Sequence, residues 1–150
     1  MIKLSYEIIR DLCIDFAKNQ KEKDMYYIAI SRGGITAAHI ISQYLKVDLL
    51  YYIPDVTDIN SFPKDKPLCF IDDTISPEGR TYRKLFNLLM DREWYIYVLL
   101  QDGQSLLDNK NIYYGIKSNI WINFPWRPND TDITIESKGR FRDGTDNYGV

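Results

Sequence analysis

Residues 68–81 read LCFIDDTISPEGRT, and this segment decides how the chain is interpreted. An apolar run ends in two adjacent carboxylates, Asp72 and Asp73, and a short Ser/Pro/Gly loop then leads into a run of helical character from Thr81. In open α/β sheets, ligands bind at the carboxyl ends of the strands. The start of a helix offers unpaired N–H groups to a phosphate. The segment therefore predicts a buried strand, a ligand-binding turn and a helix.

The composition is that of one soluble globular domain. The chain has 150 residues, of which 45% are hydrophobic and 27% charged. No apolar run approaches the ~20 residues of a membrane span, and a net charge of −2 gives no basic footprint for nucleic acid. Cys13 and Cys69 lie in apolar segments without metal-ligand spacing. We therefore expect reduced thiols, a cytoplasmic protein, and neither nucleic acid nor membrane as a partner.

Apolar periodicity predicts alternating helices and strands. The predicted helices cover residues 5–21 (with Ser5 as N-cap), 35–45 and 81–90. The predicted strands cover residues 25–30, 49–53, 68–71 and 94–100, with shorter ones at 111–114 and 120–124. A proline-punctuated loop is predicted at 54–67, and a polar extension at 127–150 with one short strand at 133–135. This order predicts an α/β fold for residues 1–126: a single-domain parallel twisted sheet with helices on both faces.

The adjacent carboxylates have two interpretations. Asp72 and Asp73 could bind ribose hydroxyls and a Mg²⁺ ion, which prefers oxygen ligands, while the loop after them cradles a phosphate. The alternative is a solvated Asp-Asp turn that caps the next helix, because aspartate is common in turns. The residues of this segment alone leave both open.

A second motif, Ser31-Arg32-Gly33-Gly34, separates a predicted strand from a predicted helix. Glycine lets the backbone approach a ligand closely or take a positive φ. Exposed amides and the forked Arg32 guanidinium would together bind an anion. The alternative is a plain glycine turn with a surface arginine.

A third motif lies near the end of the predicted domain, where residues 121–126 read WINFPW. An aromatic side chain there could stack on a base, and the backbone beside it could contact the ring edges. The alternative is a last strand whose aromatic side chains fill the core.

Together, and in this order, the three motifs resemble those of the type I phosphoribosyltransferases, closest to the bacterial xanthine-guanine and hypoxanthine branch. Residues 28–35 (IAISRGGI) resemble that family's pyrophosphate loop, residues 70–73 with 79–81 (FIDD and GRT) its donor-sugar motif, and residues 121–126 its base-binding segment. The resemblance implies a Mg²⁺-dependent pentosyltransferase of purine salvage. It would transfer a phosphoribosyl group between phosphoribosyl diphosphate and a nucleobase, expected to be a purine. We also expect a homodimer.

The resemblance assigns roles in the diphosphate and metal site. Arg32 and the amides of Gly33 and Gly34, beside Ser31, would hold the leaving pyrophosphate. The family often has a cis peptide before this arginine, so the Ser31–Arg32 bond is expected to be cis. Asp72 and Asp73 would face the ribose and Mg²⁺.

It also assigns roles around the phosphate and the base. The 5′-phosphate would be bound after Ser76, by Gly79, Arg80 and Thr81. Trp121 would stack on the base, with Ile122 beside it.

The donor loop departs from the family pattern, which usually reads Asp-Asp, three residues, Thr-Gly, one residue, Thr. Here Pro77 stands at the first threonine, and Thr81 comes one residue late. Glu78 lies inside this insertion. It either replaces the carboxylate base that the purine branch carries at the position of Ser76, or binds a hydroxyl of a donor that lacks a 5′-phosphate.

The base pocket departs as well. The purine branch has a lysine after the fourth strand that binds the 6-oxo group, whereas this chain has Gln101, whose amide pairs with either an oxo or an amino edge. Two alternatives therefore stay open. One is a catalytically degenerate protein of this fold that binds a nucleotide or a protein partner. The other is an enzyme with a changed pentose donor or a pyrimidine acceptor.

Overall fold

A computed structural model describes residues 2–75, 79–103, 109–120 and 122–126. The predicted extension at 127–150, with its strand at 133–135, lies outside these residues. Within them, none of the helices combines the length and apolar character needed to cross a bilayer.

The described elements follow the predicted order, except that one strand, β1, was not predicted. They are β1 (Ile2–Lys3), α1 (Tyr6–Lys18), β2 (Tyr26–Ile30), α2 (Ile35–Leu45), β3 (Leu49–Tyr52), β4 (Leu68–Ile75), α3 (Arg80–Leu89), β5 (Trp94–Asp102), β6 (Ile112–Ser118) and β7 (Ile122–Asn123). A short 3-10 helix, Ile59–Ser61, lies in the predicted loop. Ser5 caps α1 as expected, because its hydroxyl accepts the Ile8 N–H at 3.2 Å.

Five strands form one parallel sheet in the order β3-β2-β4-β5-β6. The chain leaves β2 toward β3 on one side and returns to β4 on the other. This creates a topological switch point between β2 and β4, where open α/β sheets bind ligands. A separate pair, β1 with β7, joins the N-terminus to the predicted base-binding segment through Ile2 and Ile122.

Helices cover both faces of the sheet, which confirms the predicted fold class. Side chains alternate along a strand, so successive residues of β4 enter different cores. Cys69 and Ile71 pack in the core that α1 and α2 cover. Leu68 and Phe70 pack in the core that α3 covers. Asp72 and Asp73 continue this alternation at the end of the strand.

Several predicted boundaries were wrong. β4 runs to Ile75 rather than to Ile71, β5 runs to Asp102, and β6 reaches Ser118 instead of ending at residue 114. The extra length comes from pairing between strands, such as Thr74 with Leu100, which turn-forming local composition does not reveal. α1 ends at Lys18 rather than near residue 21, and β7 is shorter than predicted.

Candidate active site

The two carboxylates lie inside β4, where Asp72 is 0% and Asp73 1% exposed. A solvated Asp-Asp turn is therefore wrong as an interpretation of this motif. A buried carboxylate is costly unless it is paired or hydrogen-bonded. The core must therefore supply specific partners for both aspartates. Their position at the carboxyl end of β4, beside the switch point, is the position expected of ligand-binding residues.

Asp72 is directed toward α3 and is held at both of its oxygens. Its Oδ2 accepts the Tyr82 hydroxyl at 2.6 Å, and its Oδ1 accepts the backbone N–H of Asp73 at 2.8 Å. Burial, and then the adjacent Asp73 charge, raise the pKa of Asp72 well above its usual range, while the hydrogen bond from Tyr82 opposes this shift. Burial also raises the pKa of Tyr82, so its hydroxyl stays a donor.

Asp73 is directed toward the opposite face, where it lies against the turn between β2 and α2. A Cβ atom built on Gly33 would stand 2.6 Å from both Cγ and Oδ2 of Asp73. One on Gly34 would stand 2.0 Å from the carbonyl oxygen of Ile71. Neither glycine has a positive φ, so these residues are glycine because β4 approaches them closely.

The turn itself has the predicted cis peptide bond between Ser31 and Arg32. The Ser31 N–H donates to the Tyr52 carbonyl at 2.8 Å, which ties the turn to β3. The Gly34 N–H donates to the Ile30 carbonyl at 2.9 Å. In this conformation the Gly34 amide is engaged within the turn, and its role toward pyrophosphate stays a prediction. Arg32 is exposed at the rim of the site.

The predicted phosphate cradle is described only from Gly79 onward, because Ser76, Pro77 and Glu78 lie outside the described residues. Gly79 is buried, has φ 59° and forms the N-cap of α3. Arg80 and Thr81 open the helix, and its first turn carries no acidic residue. The roles of Ser76 and Glu78 stay predictions.

The base-binding segment reaches the carboxylates through a residue that sequence reasoning did not single out. The indole N–H of Trp126 donates to Asp73 Oδ2 at 3.4 Å, and its ring stacks on Phe124 with centroids 4.9 Å apart. Ile122 is buried in the core. Trp121 lies outside the described residues, so its stacking role stays a prediction. The repeated aromatic in WINFPW was the available signal for Trp126.

Gln101 lies near the carboxyl-terminal end of its strand, at the same end of the sheet as the two carboxylates. It is 6% exposed on β5, and it pairs in register with Ile75 of β4 and Lys117 of β6. Sequence reasoning placed it just after the strand, and the structure places it within the strand. Its role toward the acceptor base stays a prediction.

The ligand atoms that the site offers suit Mg²⁺ only in part. Carboxylate oxygens are ligands that Mg²⁺ prefers, and the ion commonly takes one or two of them and fills its shell from water and substrate phosphates. No group of three His, Cys, Asp or Glu side chains able to hold a metal occurs in the part of the chain that is described. Asp73 lies against the turn at residues 31–34, where the diphosphate would bind, so it is the carboxylate that fits such an ion.

The sequence matches no protein-family model and no curated protein. Solved structures do match. A purine phosphoribosyltransferase from Pyrococcus horikoshii superimposes with a TM-score of 0.70 and 22% identity, over 85% of this chain and 94% of that one. A xanthine-guanine-hypoxanthine phosphoribosyltransferase from Helicobacter pylori superimposes with a TM-score of 0.61 and 18% identity, over 83% of this chain and 90% of that one. The chain has the type I phosphoribosyltransferase fold.

This phosphoribosyltransferase fold also occurs in a hypothetical protein from Neisseria gonorrhoeae whose structure contains bound ppGpp. That structure has a TM-score of 0.64 and 20% identity, and the match covers 95% of this chain and 97% of that chain. At these identities the likeness establishes the fold, so any activity has to be argued from the site.

Proposed function

We propose that this protein transfers a phosphoribosyl group between phosphoribosyl diphosphate and a purine nucleobase, with Mg²⁺. One observation carries the proposal: Gly33 packs against the Asp73 carboxylate so closely that no Cβ fits between them. The turn that would bind the diphosphate and the carboxylate that would face the ribose are therefore built as one unit. They lie at the switch point of the sheet, beneath Trp126.

In the transfer, the bond from C1′ to the diphosphate oxygen breaks and a bond from C1′ to a base nitrogen forms. The base loses its proton to a carboxylate or to water, and C1′ gains positive charge as the diphosphate leaves. Arg32 would neutralise the leaving group, and Asp73 would orient the ribose hydroxyls beside the developing charge. Asp73 would help to hold a Mg²⁺ ion, which would supply further neutralisation of negative charge on the leaving group.

The acceptor is argued from two described residues. Trp126 is half-buried beside Asp73 and presents an aromatic side chain at the edge of the site. Gln101 supplies an amide on the neighbouring strand, which can donate to an oxo group or accept from an amino group. A purine offers both the stacking area and such an edge.

The test is to incubate the protein with Mg²⁺ and phosphoribosyl diphosphate plus single purine or pyrimidine bases, and to follow pyrophosphate release. We expect release with at least one purine. Asp73→Asn should lower the rate at least a hundredfold while leaving the circular dichroism spectrum unchanged. Asp91→Asn, at an exposed position, is the matched control and should keep the full rate. Release that persists in the Asp73 variant would refute the assigned role of this carboxylate.

A second candidate is a protein of this fold that binds a guanine nucleotide without transferring a phosphoribosyl group. The likeness to a ppGpp-bound structure over 95% of this chain favours it, as does Pro77 in the donor motif. Calorimetric titration with ppGpp and with GMP tests it. Binding of either nucleotide, together with no pyrophosphate release from any base, would favour this candidate over the transferase.

A further inference from the structure

Tyr82 makes a buried hydrogen bond to one of the two site aspartates. It lies in the first turn of α3, is 2% exposed, and donates its hydroxyl to Asp72 Oδ2 at 2.6 Å. The other oxygen of Asp72 accepts the backbone N–H of Asp73 at 2.8 Å. Asp72 is thus fixed at both ends, and a side chain fixed in this way has little freedom to rotate toward a ligand.

The second of these bonds transmits the position of Asp72 to its neighbour. Because adjacent residues of a strand are directed to opposite faces, Asp73 extends away from Tyr82, toward Gly33 and Trp126. The carboxylate of Asp72 holds the peptide N–H from which Asp73 projects. The hydroxyl of Tyr82 therefore acts on one face of β4 and fixes the position of the Asp73 carboxylate on the other face.

The same hydroxyl also ties the start of α3 to β4. Tyr82 follows Arg80 and Thr81 directly, and these two residues open the helix at the expected phosphate site. The Tyr82 ring packs in the core beneath α3 with Leu85 and Leu89. The ring cannot move without moving the helix, so the hydrogen bond fixes the distance between the helix start and the carboxylates.

We propose that Tyr82 is a positioning residue: through Asp72 it holds Asp73 and the first turn of α3 in the arrangement that binds the phosphoribosyl donor. This inference rests on the proposed function and deepens it. Because Tyr82 is buried and acts on the residues that would bind the donor, its effect should appear in donor binding and not in binding of the base.

The test compares Tyr82→Phe with Tyr97→Phe. Tyr97 is also 2% exposed, and its hydroxyl donates at 3.1 Å to the Leu12 carbonyl of α1, away from the carboxylates. Both variants lose one buried hydroxyl and one hydrogen bond. Calorimetry with phosphoribosyl diphosphate and Mg²⁺ gives the donor Kd, steady-state kinetics give KM for donor and base, and thermal melting gives Tm.

We expect Tyr82→Phe to weaken donor binding by about tenfold, the equivalent of losing one hydrogen bond. The KM for the base should be unchanged. Tyr97→Phe should lower Tm without changing the donor Kd. In an Asp72→Ala background, Tyr82→Phe should cost no further donor affinity, because the hydroxyl then has no carboxylate through which to act.

The outcomes separate this inference from the function on which it rests. Failure of the unaltered protein to bind the donor would refute the proposed function, and this inference with it. Donor binding by the unaltered protein, with the same donor Kd in Tyr82→Phe, would refute the inference alone. An equal loss of donor and base affinity in Tyr82→Phe would also overturn it, since that result indicates general distortion of the site.

Discussion

Replacing Gly33 by alanine tests the packing of the turn after β2 against β4. The added Cβ would lie 2.6 Å from Cγ of Asp73, where ordinary van der Waals contact begins at 3.4 Å. The carboxylate would have to retreat by about 1 Å, which costs about 1–3 kcal/mol as overpacking. A shift of about 1 Å in a reacting site lowers a rate about a hundredfold.

Replacing Gly34 by alanine should have a different effect. Its Cβ would lie 2.0 Å from the carbonyl oxygen of Ile71, which belongs to the paired backbone of β4. A side chain such as Asp73 can rotate, but this carbonyl can move only if the pairing of β2 with β4 opens. We therefore expect Gly34→Ala to cost more than about 3 kcal/mol, and Gly33→Ala less.

Urea denaturation followed by circular dichroism measures both costs, and pyrophosphate release or donor calorimetry measures the site. Gly115→Ala on β6 is a milder control, because its Cβ would stand 3.0 Å from the Tyr97 hydroxyl and 3.1 Å from the nearest carbonyl oxygen. The expected pattern is a stable but donor-defective Gly33→Ala and an unstable Gly34→Ala. Full stability of Gly34→Ala, or unchanged donor binding by Gly33→Ala, would refute this packing.

Four further predictions concern other residues of the domain. Gly79→Ala should destabilise by about 1–2 kcal/mol because φ is 59° there, and Gly79→Asn should cost less in the same denaturation series. Burial raises the pKa of Cys13 and Cys69 to about 12, so both thiols should react with a thiol reagent at pH 8 only on unfolding; rapid reaction of the native protein would contradict their burial. Since unfolded thiols ionise near pH 8.5, the free energy of unfolding should also fall as pH rises from about 8.5 toward 12. Trp126→Phe keeps the stacking on Phe124 and removes a long hydrogen bond, so it should cost less than about 1 kcal/mol; a loss above about 2 kcal/mol would show a stronger bond than 3.4 Å implies.

The order of elements was predictable because each core strand is a short apolar run and each helix has a clear apolar face. β2, β3 and α2 fall within one residue of the prediction. The prediction ended β4 too early because two adjacent aspartates in the local sequence are typical of a turn. Whether they are solvated or buried depends on Tyr82, ten residues after Asp72, and on Gly33, which is far away in sequence and is brought close only by the fold.

The motifs predicted which segments meet, but not how each residue serves the site. Gly34 is required for its close approach to Ile71, and its amide is engaged inside the turn. β1 has only two residues and no pattern of its own, yet it anchors β7 and so places Trp126 beside Asp73. Pairing between segments so far apart in sequence leaves no local signal. The homodimer and the cytoplasmic location stay predictions.

The central claim is that the turn at residues 31–34 and Asp73, packed together at the switch point, form the site that receives the phosphoribosyl donor. A crystal structure of the protein with phosphoribosyl diphosphate and Mg²⁺ tests this most directly. We predict diphosphate oxygens within hydrogen-bonding distance of Arg32 and the ribose hydroxyls beside the Asp73 carboxylate. Donor density on another surface of the protein, with none at Arg32 or Asp73, would contradict it.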